Sequence, residues 1–183
     1  MTPNPHPQRA WWPATLRTDR LTLRPVTEQD ADTAERLWRD ERVRRYLGGP
    51  VAESEIEARR KRLPGTPGLF AVTESGTDAV LGLVIVDPHS SRHATEVSYA
   101  LLPEHWGTGV ARDGVRVAVD WALACVPGTD HVVAVTNAGN HSSRRLLESI
   151  GMHCTGEITE YGESQRVYRT GVRPSSDTDA PDT

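Results

Sequence analysis

The chain has 183 residues, a hydrophobic fraction of 37% and a formal net charge of −4 at pH 7, which together predict a single domain large enough to bury a proper core. No basic block stands out, which argues against an electrostatically driven nucleic-acid binder, and no apolar run approaches the roughly 20 residues that a membrane-spanning helix needs. Because the N-terminus has neither a basic start nor an apolar core, and two cysteines are too few for a disulfide framework, we expect a cytoplasmic protein without a signal peptide.

The two ends of the chain differ in composition from its middle. Residues 1–13 contain four prolines and predict a flexible N-terminal tail, except for Trp11 and Trp12, which we expect to pack on the domain edge or on a partner. Residues 171–183 are rich in Ser, Asp, Thr and Pro and predict a disordered C-terminal tail. Residues 14–170 are therefore the predicted domain.

The first part of the domain predicts a strand followed by two helices. Apolar and polar residues alternate from Leu16 to Arg24, which predicts one strand that Pro25 ends. Thr27, with Asp30 three residues later, approximates the capping box of a first helix. Glu53 to Leu63 predicts a second helix, whose many charges are most simply explained as a solvated face.

A hairpin follows these helices. Phe70 to Thr73 and Val80 to Val86 predict two paired strands, and Ser75 to Asp78 supplies the turn between them.

The stretch from Thr95 to Ala124 predicts a strand, a turn and a helix. Thr95 to Leu102 is β-branched and aromatic, Pro103 to Gly109 holds two glycines, and a helical pattern starts at Val110. Glycines allow close approach of the backbone, and the first N–H groups of a helix have no internal partner. The turn therefore predicts a cradle for phosphate or pyrophosphate, with an ordinary strand–helix turn as the alternative.

The last part of the domain predicts a strand, a helix and a hairpin. His131 to Thr136 is typical of a buried strand. Asn140 is a candidate N-cap and Gly151 the stop of the next helix. Met152 to Ile158 and Gln165 to Arg169 predict the final hairpin.

Three motifs carry a resemblance to a known family. Trp106-Gly107-Thr108-Gly109-Val110-Ala111 resembles the pyrophosphate loop of the GNAT acyltransferases, usually Q/R-x-x-G-x-G/A, and its Trp is similar to the RimJ/RimL-like N-acetyltransferase branch. The opening T-D-R-L-T-L-R-P, residues 18–25, resembles the start of that branch. Asn137 to Met152 resembles the second family motif, N-x-x-S followed by a helix, with N-x-x-S at residues 140–143. The resemblance covers about Leu16 to Thr170.

The resemblance implies both a fold and an activity. The fold would be an α/β GNAT fold: a mixed, mostly antiparallel, splayed sheet of about seven strands with helices on both faces. The activity would be transfer of an acetyl group from acetyl-CoA to a primary amine, by direct attack in a ternary complex. The acceptor would be a protein N-terminal α-amine or a small-molecule amine, and residues 42–47 would lie near its pocket.

Other properties follow from the same comparison of patterns. No set of residues has metal-ligand spacing, so we expect no metal. Trp11-Trp12 or the final hairpin would be the candidate surfaces of a homodimer.

A non-catalytic acyl-CoA-binding module is the alternative function, although the presence of Glu96, Asn140 and Ser143 argues against it. A nucleotide-binding protein is disfavoured because the G-K-[S/T] sequence is missing.

The resemblance implies two catalytic candidates. Glu96 matches a Glu of the branch and could be the general base, could orient the acceptor amine, or could be a structural strand residue. Strand alternation places it on one face with Ser98 and Ala100. Ser143 matches the Ser of N-x-x-S and could donate a proton to the CoA sulfur, the alternative being a helix Ser that only bonds to backbone.

The resemblance also implies the residues that bind acetyl-CoA. Backbone groups near the end of the strand would polarise the thioester carbonyl and pair with the pantetheine arm, the glycine loop would hold pyrophosphate, and the Asn side chain would contact pantetheine. The implied residues are Tyr99, Ala100, Leu101, Trp106, Gly107, Thr108, Gly109, Val110, Ala111, Asn140 and Ser143. We expect the Trp106 side chain to pack against the loop.

Overall fold

The computed structural model describes residues 10–171; the rest of both predicted tails lies outside this range. Its elements in chain order are β1 (Leu16–Arg17), β2 (Leu21–Pro25), α1 (Ala31–Arg39), α2 (Glu41–Arg44), α3 (Glu53–Arg62), β3 (Leu69–Glu74), β4 (Val80–Asp87), β5 (Thr95–Leu101), α4 (Val110–Cys125), β6 (Val132–Asn137), α5 (His141–Ser149), β7 (His153–Glu160) and β8 (Glu163–Arg169). Two short 3-10 turns, Glu28–Asp30 and Pro103–His105, precede α1 and α4.

Within residues 10–171 the strands form one sheet in the order β1-β2-β3-β4-β5-β6-β8-β7. Neighbouring strands are antiparallel except β5 and β6, which are parallel. The mixed, mostly antiparallel sheet expected from the sequence is confirmed. None of the helices in this range is long and apolar enough to cross a membrane.

Eight strands lie within residues 10–171, where the sequence predicted about seven. The single strand expected from Leu16 to Arg24 is interrupted because the Thr18 hydroxyl accepts the backbone N–H of Leu21 at 2.9 Å. This side-chain bond stabilises a tight turn, so β1 folds back on β2 with Leu16 opposite Leu23.

The start of α1 is fixed by the predicted capping pair. The Asp30 carboxylate accepts the backbone N–H of Thr27 at 2.8 Å and two guanidinium N–H groups of Arg24 at 2.8 and 2.9 Å. Asp30 is 2% exposed, and these bonds hold the pKa of its carboxyl below the usual value although burial opposes them.

Helices cover both faces of the sheet, as expected. One apolar cluster joins α4 and α5 to the sheet through residues such as Val115 and Leu147. A second cluster joins α1 to the other face through Ala34 and Leu37. The two Trp residues near the N-terminus pack at the edge of the first cluster, where the Trp12 ring meets Phe70 edge-on at 4.9 Å.

Strand β5 contributes side chains to both faces of the sheet. Val97 and Leu101 lie in the cluster with α4 and α5, whereas Ala100 packs against the cluster with α1. Side chains alternate along a strand, so Glu96 and Ser98 share the α1 face with Ala100, as predicted. The side chain of Tyr99 lies on the opposite face.

Candidate active site

The site begins where β5 and β6 separate. Their ladder contains the pairs Thr95–Val132 and Glu96–Val133. Beyond these pairs the strands diverge around a cleft of about 830 Å³, which is lined by residues 97–101 of β5 and 134–137 of β6. The ligand-sized gap therefore lies inside the sheet itself.

Two helix N-termini reach this cleft. Since β5 and β6 are parallel, their C-terminal ends lie at the same end of the sheet, and α4 and α5 start just after them. Gly107, Gly109 and Ala111 line the cleft at the start of α4, and Asn140 and Ser143 line it at the start of α5. Free N–H groups and the positive end of each helix dipole make this end of the cleft suitable for an anion.

The glycine loop before α4 has the backbone that the cradle requires. Gly107 has φ +75° and Gly109 has φ +84°, and no atom lies within 4 Å of the place that a Cβ on Gly107 would take. Glycine is therefore needed at position 107 for its backbone conformation.

A side chain from the β1–β2 turn anchors the same loop. Arg20 Nη2 donates to the Thr108 carbonyl at 3.2 Å. Because the C=O and N–H of a trans peptide point in opposite directions, this bond fixes the Gly109 N–H on the side away from Arg20. The Thr108 hydroxyl donates to the His105 carbonyl at 2.7 Å, which further fixes the turn.

Trp106 connects the loop to β5. Its indole N–H donates to the Leu101 carbonyl at 2.9 Å, while the side chain is 49% exposed and lines the cleft. The Leu102 N–H donates to Leu81 on β4, so the alternation of the ladder turns the backbone groups of Tyr99 towards β6. At Tyr99, β6 has already diverged, and these groups face the cleft.

Asn140 and Ser143 form the α5 side of the cleft. The side-chain amide oxygen of Asn140, Oδ1, accepts the backbone N–H of Ser143 at 3.1 Å, which makes Asn140 the N-cap of α5. The Ser143 hydroxyl lies 2.7 Å from the phenol oxygen of Tyr99. It therefore bonds to a side chain, whereas the structural alternative expected a bond to backbone only. Burial is the largest influence on this phenol and raises the pKa of Tyr99 to about 12.

Glu96 lies at the closed end of the splay and is not among the residues that line the cleft. Its Oε2 lies 3.2 Å from Nε of Arg92, and Arg92 Nη2 also donates to Glu160 at 2.7 Å. Burial is the largest influence on Glu96, and it raises the pKa of the carboxyl even though Arg92 acts in the opposite direction. The structure therefore separates Glu96 from Ser143 and surrounds it with ionised groups.

The remaining cleft residues come from segments that the motif comparison did not select as binding residues. Residues 42, 43 and 45–47 line one wall, in the region expected near an acceptor. A Cβ on Gly139 would lie 3.5 Å from Cε1 of Tyr46, so this segment reaches the β6–α5 turn. Spacing gave no signal for Gln165, which β8 places opposite Asn137.

The charge of the lining is positive. Among the described residues, those that line the cleft include no carboxylate. The charged side chains in the lining are those of Arg42, Arg45, Arg112 and Arg145. Arg112 follows the glycine loop by one residue and Arg145 follows the N-x-x-S sequence by two, so both lie near the start of a helix, and that position would have indicated them. No group of three or more metal-ligating side chains occurs within residues 10–171.

The chain is similar in sequence to known acetyltransferases. Residues 20–153 match the acetyltransferase (GNAT) domain family. The uncharacterized N-acetyltransferase YoaA of Bacillus subtilis is 28% identical over 166 residues, which cover 86% of this chain and 90% of that protein.

Solved structures share the fold. The ribosomal-protein-S5-alanine acetyltransferase of Vibrio fischeri has a TM-score of 0.73 at 19% identity, covering 89% of this chain and 98% of that chain. The spermidine N-acetyltransferase of Vibrio cholerae, in complex with CoA and spermine, has a TM-score of 0.69 at 19% identity, covering 83% of this chain and 95% of that chain.

Proposed function

This chain belongs to the GNAT family of N-acetyltransferases, and we propose that it moves an acetyl group from acetyl-CoA to a primary amine by direct attack while both substrates are bound. The observation that carries this proposal is the separation of β5 from β6 after Glu96 and Val133. That separation opens a cleft of about 830 Å³ onto the N-termini of two helices.

The cleft suits the acyl donor in both shape and charge. The N–H groups of residues 107–111 would hold the pyrophosphate, as at other helix N-termini. Arg112 and Arg145 would add positive charge near the phosphates. The backbone groups of Tyr99 that face the cleft and the side chain of Asn140 would bind the pantetheine arm. The thioester supplies the activated acetyl group.

Three groups would serve the chemical step. A backbone N–H of β5 polarises the acetyl carbonyl. Glu96 accepts the proton of the amine through water, because it lies behind the cleft wall on the same face as Ser98. Its raised pKa brings the carboxylate closer to the basicity that this task needs. Ser143 faces the departing sulfur.

The charge of the cleft bears on the acceptor. Ser98 and residues 42, 43 and 45–47 line the part of the cleft that is left for the amine. The charged side chains there are Arg45 and Arg42, and Arg42 also forms an ion pair with Asp40 at 2.6 Å. A polyamine would bring several positive charges to this wall, whereas a peptide N-terminus brings one. We therefore favour a peptide α-amine, as the name of the Vibrio fischeri relative suggests, over a spermidine-like acceptor.

The test is CoA release from acetyl-CoA in the presence of matched amines. The panel contains a peptide that begins with Ala, the same peptide with its N-terminus already acetylated, and spermidine. We expect release with the free peptide, none above background with the blocked peptide, and at least tenfold less with spermidine. A preference for spermidine would overturn the acceptor class, and failure to bind acetyl-CoA would overturn the site.

A further inference from the structure

Two hydroxyl groups form a hydrogen bond inside the cleft, and the proposed acetyl transfer does not yet explain this bond. The phenol of Tyr99 comes from β5 and the hydroxyl of Ser143 from α5, and their oxygens are 2.7 Å apart. We infer that Tyr99 is a positioning residue that turns the single hydroxyl hydrogen of Ser143 towards the departing CoA sulfur, so that Ser143 stabilises the thiolate as a fixed hydrogen-bond donor. This inference rests on the proposed acetyl transfer.

The direction of the hydrogen bond follows from the two groups. A phenol is more acidic than an aliphatic alcohol and is the better donor, and each hydroxyl carries one hydrogen. When Tyr99 donates to the Ser143 oxygen, the Ser143 hydrogen remains for a second partner. The Ser143 backbone is held at the same time by the Asn140 cap, so this hydrogen has a restricted range of directions.

The surroundings of Tyr99 argue that Ser143 keeps its proton. If Ser143 gave its proton to the sulfur, Tyr99 would have to replace it and become a phenolate. Burial raises the pKa of Tyr99 to about 12, whereas a thiol has a pKa of about 8.5, so this transfer would run uphill. In the favoured step the carbon–nitrogen bond forms, the carbon–sulfur bond breaks, and the electron pair stays on sulfur. The amine proton leaves through water to Glu96, and both hydroxyl groups keep their protons.

A purely structural tether is the competing explanation, and the chain offers a matched control for it. Tyr168 on β8 donates to Glu148 of the same helix α5 at 2.8 Å, and it does not line the cleft. Tyr168→Phe removes a phenol that ties α5 to the sheet, as Tyr99→Phe does, but it leaves the contact with Ser143 unchanged.

The first experiment titrates the thiol of bound CoA by its ultraviolet thiolate absorbance and needs no acceptor. Cys125 and Cys154, the free exposed cysteines of the described chain, are replaced by Ser in every variant. In the parent protein we expect a thiol pKa below that of free CoA. Tyr99→Phe should raise it by about half a unit or more, and Ser143→Ala should raise it at least as far, because a hydrogen bond to the charged form is weakened or lost. Tyr168→Phe should leave it unchanged.

The second experiment measures turnover with the best acceptor. Tyr99→Phe should lower kcat about tenfold, within the range for one misplaced donor, with little change in the KM for acetyl-CoA. The double variant Tyr99→Phe/Ser143→Ala should match Ser143→Ala within twofold, since Tyr99 acts through Ser143.

Specific results would overturn the inference. Equal thiol pKa values in the parent and Tyr99→Phe proteins, the same shift in Tyr168→Phe, or additive losses in the double variant would each do so. A protein that shifts the thiol pKa as described but acetylates no amine would contradict the proposed function and leave the hydrogen-bond geometry supported.

Discussion

Gly107 is the residue whose backbone the proposed cradle needs most. Its φ of +75° lies in the left-handed region, and space around it is open, so a methyl group there would act through backbone strain of about 1–2 kcal/mol. In Gly107→Ala the free loop can relax away from this conformation and must regain it to bind. We expect the Kd for acetyl-CoA, measured by calorimetry, to rise roughly five- to thirtyfold.

Gly128 supplies the control for this substitution. It has φ +76°, also with no atom within 4 Å of a Cβ, and it lies after the C-terminal end of α4, opposite to the cleft end. Gly128→Ala should lower the free energy of unfolding by a similar amount and leave the Kd unchanged. Equal Kd values for the parent and Gly107→Ala proteins would show that the loop does not hold the phosphates.

Glu96 should give activity a distinctive pH dependence. The proposed base acts as a carboxylate, so activity is lost as pH falls through its pKa, and burial raises that pKa above the ordinary value. Arg92 opposes the rise. Arg92→Met should therefore move the acidic limb of the kcat–pH profile to higher pH.

Arg166→Met is the comparison for that shift. Arg166 forms an ion pair with Glu157 at 3.1 Å and lies on the other face of the sheet, because it pairs with Thr136 of β6. Its loss should leave the acidic limb in place. An unmoved limb in Arg92→Met would instead assign the limb to a group other than Glu96.

Two glycines inside regular elements should respond to alanine in opposite directions. In α4, a Cβ on Gly114 would lie 3.7 Å from the nearest atom, a methyl carbon of Val72, which is ordinary contact. Gly114→Ala should therefore raise the free energy of unfolding by about 0.5–1 kcal/mol through helix propensity. In β4, a Cβ on Gly82 would lie 2.4 Å from the Ala100 carbonyl oxygen, and Gly82→Ala should lower it by about 1–3 kcal/mol.

Denaturant titration measures both changes in the free energy of unfolding. Gly82→Ala should also affect ligand binding. The atoms that Gly82→Ala would displace belong to the backbone of β5, which forms one wall of the cleft. We therefore expect weaker acetyl-CoA binding in this variant and unchanged binding in Gly114→Ala. A destabilised Gly114→Ala protein would mean that α4 is packed more tightly against β2 and β3 than these distances indicate.

Features set by residues close together in the sequence could be predicted, whereas contacts between residues far apart in the sequence could not. The Asn140 cap and the strand–loop–helix around Gly107 depend on neighbours within a few residues, and the pattern predicted them. The split of the first strand was missed because one hydroxyl, that of Thr18, makes the turn. The Tyr99–Ser143 contact joins residues 44 positions apart, and periodicity carries no information on such a pair. For the same reason, only the family resemblance predicted that residues 42–47 lie near the acceptor pocket, since the place of Arg42 and Arg45 in the cleft depends on how α2 packs.

As a whole, the molecule is a sheet whose two parts meet in a short ladder. Strands β1 to β5 form one part and β6, β8 and β7 the other, and two residue pairs join β5 to β6. Packing of α4 against both parts supplements this ladder. A ligand in the cleft would contact both walls and add a connection that the sheet lacks.

Binding of CoA should therefore stabilise the fold and protect both walls together. At a CoA concentration 100 times the Kd, we expect the free energy of unfolding to rise by about 2.7 kcal/mol and the melting temperature by roughly 5–10 °C. In hydrogen exchange, protection should increase at residues 97–101, 107–111 and 141–144, and remain unchanged in α3. Gly107→Ala should show a smaller rise at the same CoA concentration. Protection confined to one wall would mean that the ligand does not bridge the splay, and the proposed route for the pantetheine arm would then be wrong.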